Sequence, residues 1–104
     1  MNKNFSSVDF SEISGTSFHD GYVKGSANEI SKILGNYVGG DEDKVYRNWK
    51  LKVNNTIFAV YDWKEGITSE DDVLEYHIGT FTSEDTERVV EILKEAGLDA
   101  YIKY

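Results

Sequence analysis

VYRNWKLKV at residues 45–53, NN at 54–55 and TIFAVYDW at 56–63 form the stretch on which the fold turns. In the first run Val45, Trp49, Leu51 and Val53 fall on one side, and Tyr46, Asn48, Lys50 and Lys52 on the other. That two-residue period is the signature of a half-buried strand. Arg47 interrupts the apolar side and predicts a position at a sheet edge. Thr56–Trp63 is rich in aromatic and β-branched residues, which favour strands. Two such runs joined by two turn-forming residues predict a β-hairpin.

Working outward, the acidic loop from Glu65 to Asp72 leads to a third strand, Val73 to Thr80. Leu74, Tyr76 and Ile78 share one face of it, and Glu75 and His77 the other. A helix follows, capped by Thr82 or Ser83, with Glu84 and Asp85 in its first turn and Gly97 ending it. Val89, Val90, Leu93 and Ala96 make its apolar stripe, widened by Ile92. Leu98 to Tyr104 alternates again and predicts a last strand. On the N-terminal side, Ser26 caps a helix over roughly 27–34 that stops at Gly35. Ser17–Lys24 predicts a short strand broken by the turn-like Asp20-Gly21, and Gly39 to Asp43 a loop.

The order β-α-β-β-β-α-β predicts an α+β domain over 17–104: an antiparallel sheet of four or five strands with two helices on one face. Residues 1–16 predict a loosely ordered arm docking through Phe5 and Phe10. At 104 residues the chain is the size of one domain. No cysteine is present, which removes disulfides and thiolate metal sites. No apolar run approaches the roughly 20 residues of a membrane span, and the polar start lacks a secretion signal. A cytoplasmic location is expected.

Charge is distributed unevenly. Residues 65–104 hold eleven carboxylates against three bases, whereas 44–64 hold five bases against Asp62 alone, within a total of −8. Affinity for nucleic acid comes largely from neutralising phosphates, so a net charge of this sign argues against direct binding to DNA, RNA or an anionic membrane. Motifs for catalysis are missing. His19 and His77 stand far apart, neither at metal-ligand spacing, and no serine carries a nucleophile signature. Gly39-Gly40 is too short for a phosphate loop. His77 with Asp62 or Glu75 is the nearest approach to an acid–base pair, and a hydrogen-bonded sheet histidine explains it more simply. A non-enzymatic protein without cofactor or metal is expected.

Two binding surfaces are legible. Glu84, Glu87, Glu91 and Glu95 repeat at spacings of three and four, placing them on one side of the second helix. They extend over roughly 16 Å, a length of duplex carrying about ten phosphate charges. With Asp85, Asp41, Glu42, Asp43, Glu70, Asp71 and Asp72 they predict an acidic, DNA-mimicking surface for a basic nucleic-acid-binding protein, the nucleoid protein HU or RNA polymerase being candidates. Ion pairs from Arg88 and Lys94 would make the same face an ordinary solvated one. The second surface is the basic, aromatic hairpin. Trp49, Tyr61, Asp62, Trp63, Lys64 and His77 predict a site where aromatic rings stack on a nucleobase and lysine holds its phosphate. The last strand reads as a sheet edge able to pair with another copy, giving a homodimer.

Residues 21–96 resemble a family of small, mostly uncharacterised proteins of tailed bacteriophages. The resemblance rests on GYVKG at 21–25, Leu34-Gly35, Asp43-Lys44, Trp49-Lys50-Leu51, Tyr61-Asp62-Trp63-Lys64 and His77-Ile78-Gly79. Tyr76 and Thr80 stand where family members often carry Trp and a second Gly. The resemblance implies an early phage protein that binds and disables a host factor in the bacterial cytoplasm. It implies no catalytic residues, and gives Tyr61, Asp62, Trp63, Lys64 and His77 either a structural or a ligand-lining role.

Overall fold

The computed structural model describes residues 5–39, 45–66 and 68–103. Among them run β1 (Ser6–Ser7), α1 (Phe10–Ile13), β2 (Ser17–Ser26), α2 (Ala27–Leu34), β3 (Asn48–Val53), β4 (Thr56–Tyr61), β5 (Val73–Thr80), α3 (Ser83–Glu95) and β6 (Asp99–Ile102). The fold is α+β, with one antiparallel sheet in the order β1-β3-β4-β5-β2-β6. The count is six strands and three helices where four or five strands and two helices were expected. The difference lies in β1 and α1, inside the segment expected to be a loose arm. Ser6 and Ser7 pair with Lys52 and Leu51, and Phe5 meets Phe58 edge to face at 6.2 Å.

Local chemistry explains the elements. Asn54 and Asn55 adopt φ of 48° and 66°, the pair of left-handed conformations that lets a two-residue turn follow the strand twist. Ser26 and Glu29 exchange side-chain and backbone bonds in a capping box at the start of α2. Thr82 caps α3 by accepting from the Asp85 amide at 3.1 Å. Asp20-Gly21 does not end its strand: the register shifts between Phe18 and Gly21 and pairing resumes, so the segment is a bulge with Asp20 at φ 65°.

Helices α2 and α3 bury one sheet face. Val23, Trp49, Leu51, Val53, Phe58, Val60, Tyr76 and Ile78 meet Ile30, Leu34, Val89, Val90 and Leu93 there. Gly21 sets how closely α3 approaches. A Cβ at that position would lie 2.6 Å from Thr86 Cγ2 and 3.4 Å from Ile78 Cβ. Gly21→Ala is therefore expected to cost about 1–3 kcal/mol, as overpacked cores do, read as a lower urea midpoint with an unchanged slope.

Arg47 is not at an edge. It precedes β3 and is buried, donating from Nη1 to Thr68 Oγ1 and from Nη2 to Thr68 O, both at 2.7 Å. β6 forms the outer edge of the sheet beside β2. No helix among the described residues is long and apolar enough to cross a membrane.

Candidate functional site

The sheet face away from α2 and α3 carries a row of rings in register. Tyr61 on β4 faces His77 on β5, His77 faces Tyr22 on β2, and Tyr22 faces Tyr101 on β6. Phe18 and Trp63 flank the row, and all six side chains are half-buried. Strand alternation produces this: the neighbours Val60, Tyr76, Ile78, Val23 and Ala100 point into the core. Half-exposed apolar surface gathered in one place is unlike isolated surface aromatics, and such patches mark sites of interaction.

The rings are ordered by one another. Phe18 stacks on His77 at 4.2 Å and 20°, and Trp63 lies nearly parallel to His77 at 6.4 Å and 26°. Tyr61 stands across both, at 5.7 Å from His77 and 6.3 Å from Trp63. Tyr22 stacks on Tyr101 at 5.8 Å. Lys103 Nζ lies 4.8 Å from the Tyr22 ring and Lys64 Nζ 5.7 Å from the Trp63 ring. At the β6 end the Tyr101 hydroxyl donates to Glu75, which also takes an ion pair from Lys103 at 2.8 Å.

Beside the Tyr61 end lies a cleft of about 300 Å³, the lower limit of ordinary ligand pockets. Its floor is Ala59 and Gly79, a directly opposed pair of small residues. Ile13 to Thr16, following α1, border it on one side, and Tyr61 and Trp63 on another. A Cβ on Gly79 would sit 3.3 Å from Tyr61 Cε1 and 3.6 Å from Thr16 Oγ1, so glycine keeps the depression open. Asn48 also lines it, and Asn48 Oδ1 is buried without a hydrogen-bond partner among the described residues. Lys50 stands opposite Ala59 on the neighbouring strand.

Of the hairpin residues expected to bind a ligand, the structure brings Tyr61, Trp63, Lys64 and His77 together on this face. Trp49 and Asp62 are elsewhere. Trp49 has the parity of Leu51 and Val53, is 1% exposed, and donates from Nε1 to Gly35 O at 2.9 Å. Asp62 has the parity of Phe58 and Val60 and is 1% exposed. Its Oδ1 accepts from the Tyr46 amide at 2.8 Å and the Arg47 amide at 2.9 Å. That buried clamp holds the chain leaving β4, and two residues later Lys64 takes φ 60°, a strained conformation for lysine. Phe18, Tyr22 and Asn48 join the face although the sequence did not single them out. Phe18 and Tyr22 share parity with Lys24, but only the register across the bulge shows which strand they face.

His77 is not the hydrogen-bonded sheet histidine expected. Among the described residues its neighbours are rings, and burial pushes its pKa below the ordinary 6.5, partly opposed by Glu75. Glu75 is held below its ordinary 4.5 by hydrogen bonds from Lys103 and Tyr101. Both shifts weaken the fold in acid. The unfolded chain protonates His77 first, so stability declines as pH falls below about 6.5 and on through the folded value. Glu75 stabilises above its unfolded pKa, and that contribution is lost as pH falls through its folded pKa. The melting temperature is expected to drop between pH 7 and 5, and His77→Phe to flatten that upper part of the profile.

Asp41, Glu42 and Asp43 lie outside the described residues. Glu84, Glu87, Glu91 and Glu95 are exposed on the outer side of α3, where Lys94 pairs with Glu91 at 3.7 Å and Arg88 with the half-buried Asp85 at 3.2 Å. Glu70, Asp71 and Asp72 directly precede β5, are exposed, and accept hydrogen bonds. Tyr37 donates to Glu70 at 2.6 Å, Asn28 Nδ2 to Asp71 at 2.6 Å, and the Ser69 amide to Asp72 at 2.9 Å. Asp71 ties the turn before β5 to α2, Glu70 ties it to Tyr37 beyond that helix, and the Asp72 bond lies within the turn. No group of three or more His, Asp or Glu among the described residues is arranged to hold a metal ion.

No protein-family model matches the chain, no curated protein matches it, and no solved structure matches its fold.

Proposed function

We propose that this protein is a non-enzymatic binding protein for a small nucleotide or nucleotide-derived signal, held on the open aromatic face of the sheet. The observation that supports it is the register row Tyr61–His77–Tyr22–Tyr101, flanked by Phe18 and Trp63 and bordered by an open cleft. Every nucleobase offers a flat π-face, and base–aromatic stacking contributes about 1–3 kcal/mol per base. Lys64, 5.7 Å from the ring of the cleft-lining Trp63, supplies a cation for a phosphate at the cleft side. A net charge of −8 disfavours a long polyanion and tolerates one base with few phosphates. In a phage, a protein of this kind would act by sequestering the nucleotide from a host factor.

Thermal shift with AMP, GMP, CMP and UMP tests the reading. A ligand at about 100 times its dissociation constant adds roughly 2.7 kcal/mol, about 10 °C or more for a domain of this size. Lys64→Gly is expected to weaken binding without loss of stability, because glycine relieves the left-handed backbone. No shift with any nucleotide would end the reading.

A second reading is supported by the exposure of Glu84, Glu87, Glu91 and Glu95 along α3. It makes that helix a DNA-mimicking surface for a basic host protein such as the nucleoid protein HU or RNA polymerase. Electrostatic steering would make the association fast and salt-sensitive. Reversing Glu87, Glu91 and Glu95 to Lys should abolish capture of such a protein from bacterial lysate, and unchanged capture would remove the idea.

A further inference from the structure

We propose that the β6 edge binds a second copy of this chain, the two β6 strands pairing antiparallel about a twofold axis at Tyr101 and joining both sheets into one. β6 lies last in the sheet and is paired on one side only, with β2. The Lys103 amide donates to Asp20 O at 2.9 Å, in line with the β2–β6 register. Backbone direction alternates along an antiparallel strand. Asp99, Tyr101 and Lys103 therefore turn their N–H and C=O groups to β2, and Ala100 and Ile102 turn theirs outward. Such an edge is a template for another strand unless proline, a bulge or a lone charge blunts it. The chain contains no proline, and the β2–β6 register runs without a shift.

The charges on this edge favour its own copy. Asp99 and Lys103 stand two residues either side of Tyr101 and are opposite in sign. With the axis at Tyr101, each Asp99 faces Lys103 of the second copy, Ala100 faces Ile102, and Tyr101 faces Tyr101. The edge thus pairs acid with base, apolar with apolar and ring with ring. Moving the axis by one residue, to Ala100 or Ile102, loses both ion pairs. Lys103 already holds Glu75 at 2.8 Å, yet its side chain is 56% exposed and open to a second carboxylate. Ile102, half-buried against the core, gains cover from Ala100 of the second copy. Tyr101 would occupy a non-hydrogen-bonded site, where facing Cα atoms lie about 4.5 Å apart and side chains are closest. The aromatic row ending at Tyr101 would then run on into the second copy, each open face completed by the other's ring. Two chains of −8 repel, but salt screens distant charges beyond about 8 Å, and the paired edge carries as many bases as acids. Pairing of this kind does not depend on what the open face binds.

The experiment measures the mass of the full chain by sedimentation equilibrium, and its amide exchange by NMR, from about 10 μM to 1 mM. The mass is expected to rise toward that of two chains. Exchange at Ala100 and Ile102 should slow tenfold or more as the dimer fills, while the Tyr101 amide, bonded to β2, stays protected throughout. Asp99→Lys alone and Lys103→Asp alone should each weaken self-association about tenfold, because both facing pairs become like-charged. Mixed in equal amounts, the two variants should pair again, since every Lys then faces an Asp. A chain that stays monomeric overturns the proposal. So does a dimer in which Ala100 and Ile102 exchange as fast as in the monomer, which places the contact elsewhere. A mixture that associates no better than its separate variants overturns the register at Tyr101. Mass and exchange on the unaltered chain decide the question even if Lys103→Asp does not fold.

Discussion

Asp62→Ala is expected to destabilise the domain by about 3 kcal/mol, lowering its melting temperature by roughly 12 °C or more. The carboxylate is buried, and its Oδ1 accepts from two backbone amides, those of Tyr46 and Arg47. Hydrogen bonds to a charged acceptor contribute about 1.5–3 kcal/mol each. Against this, Asp62 Oδ2 is buried without a partner, so alanine also removes one unsatisfied atom. The loss of the amide acceptor wins, because two donors are stranded for one acceptor removed. Asp62→Asn keeps an oxygen for the amides and should lose only about 1–2 kcal/mol. Calorimetric melting of the two variants measures both. Near-native stability in Asp62→Ala would show that this clamp does not hold the β4 exit.

Trp49→Ala should cost more, about 3–5 kcal/mol, the range for a large aromatic removed from a core. Trp49 is enclosed by Tyr37 and Tyr76, each edge to face at 5.4 Å, and its indole N–H satisfies Gly35 O at the end of α2. That carbonyl is one of the orphans at a helix terminus. Total stability for a domain of this kind is about 5–15 kcal/mol, so the variant should be marginal. Trp63→Ala is the contrast. Trp63 is half-buried outside the core, so its loss should cost about 1 kcal/mol, the worth of an aromatic contact, while removing nucleotide binding. Urea unfolding of both variants, with a nucleotide titration of Trp63→Ala, separates the two indoles. Equal destabilisation would mean that Trp63 is a core residue as well.

Much of the fold is legible in local chemistry. The Asn54-Asn55 turn, the Ser26 and Thr82 caps and the stripe of α3 depend on residues a few positions apart, where spacing carries the information. What is not legible depends on distant partners. Nothing near Ser17–Ser26 tells that this strand enters between β5 and β6, and Asp20 reads as a turn because its left-handed φ is the same in a bulge. Ser6 and Ser7 have no pattern, since an edge strand borrows its order from β3. The same division governs the site. Tyr61, Trp63, Lys64 and His77 were readable as a group, whereas Phe18 and Tyr22 enter through register. Trp49 and Asp62 illustrate a rule available in the sequence: each shares parity with core neighbours, which places it on the covered face. The local bonding of the acids is not legible either, because a count of carboxylates does not show that Tyr37, Asn28 and the Ser69 amide donate to Glu70, Asp71 and Asp72.

Amide chemical-shift mapping of the labelled chain against AMP, GMP, CMP and UMP is the most direct test of the binding face. Perturbations confined to Tyr22, Tyr61, Trp63, Lys64, His77 and Gly79 are expected with at least one nucleotide, with Glu84 to Glu95 unmoved. A nucleotide whose perturbations fall only on α3, or a spectrum that no nucleotide changes, would contradict it.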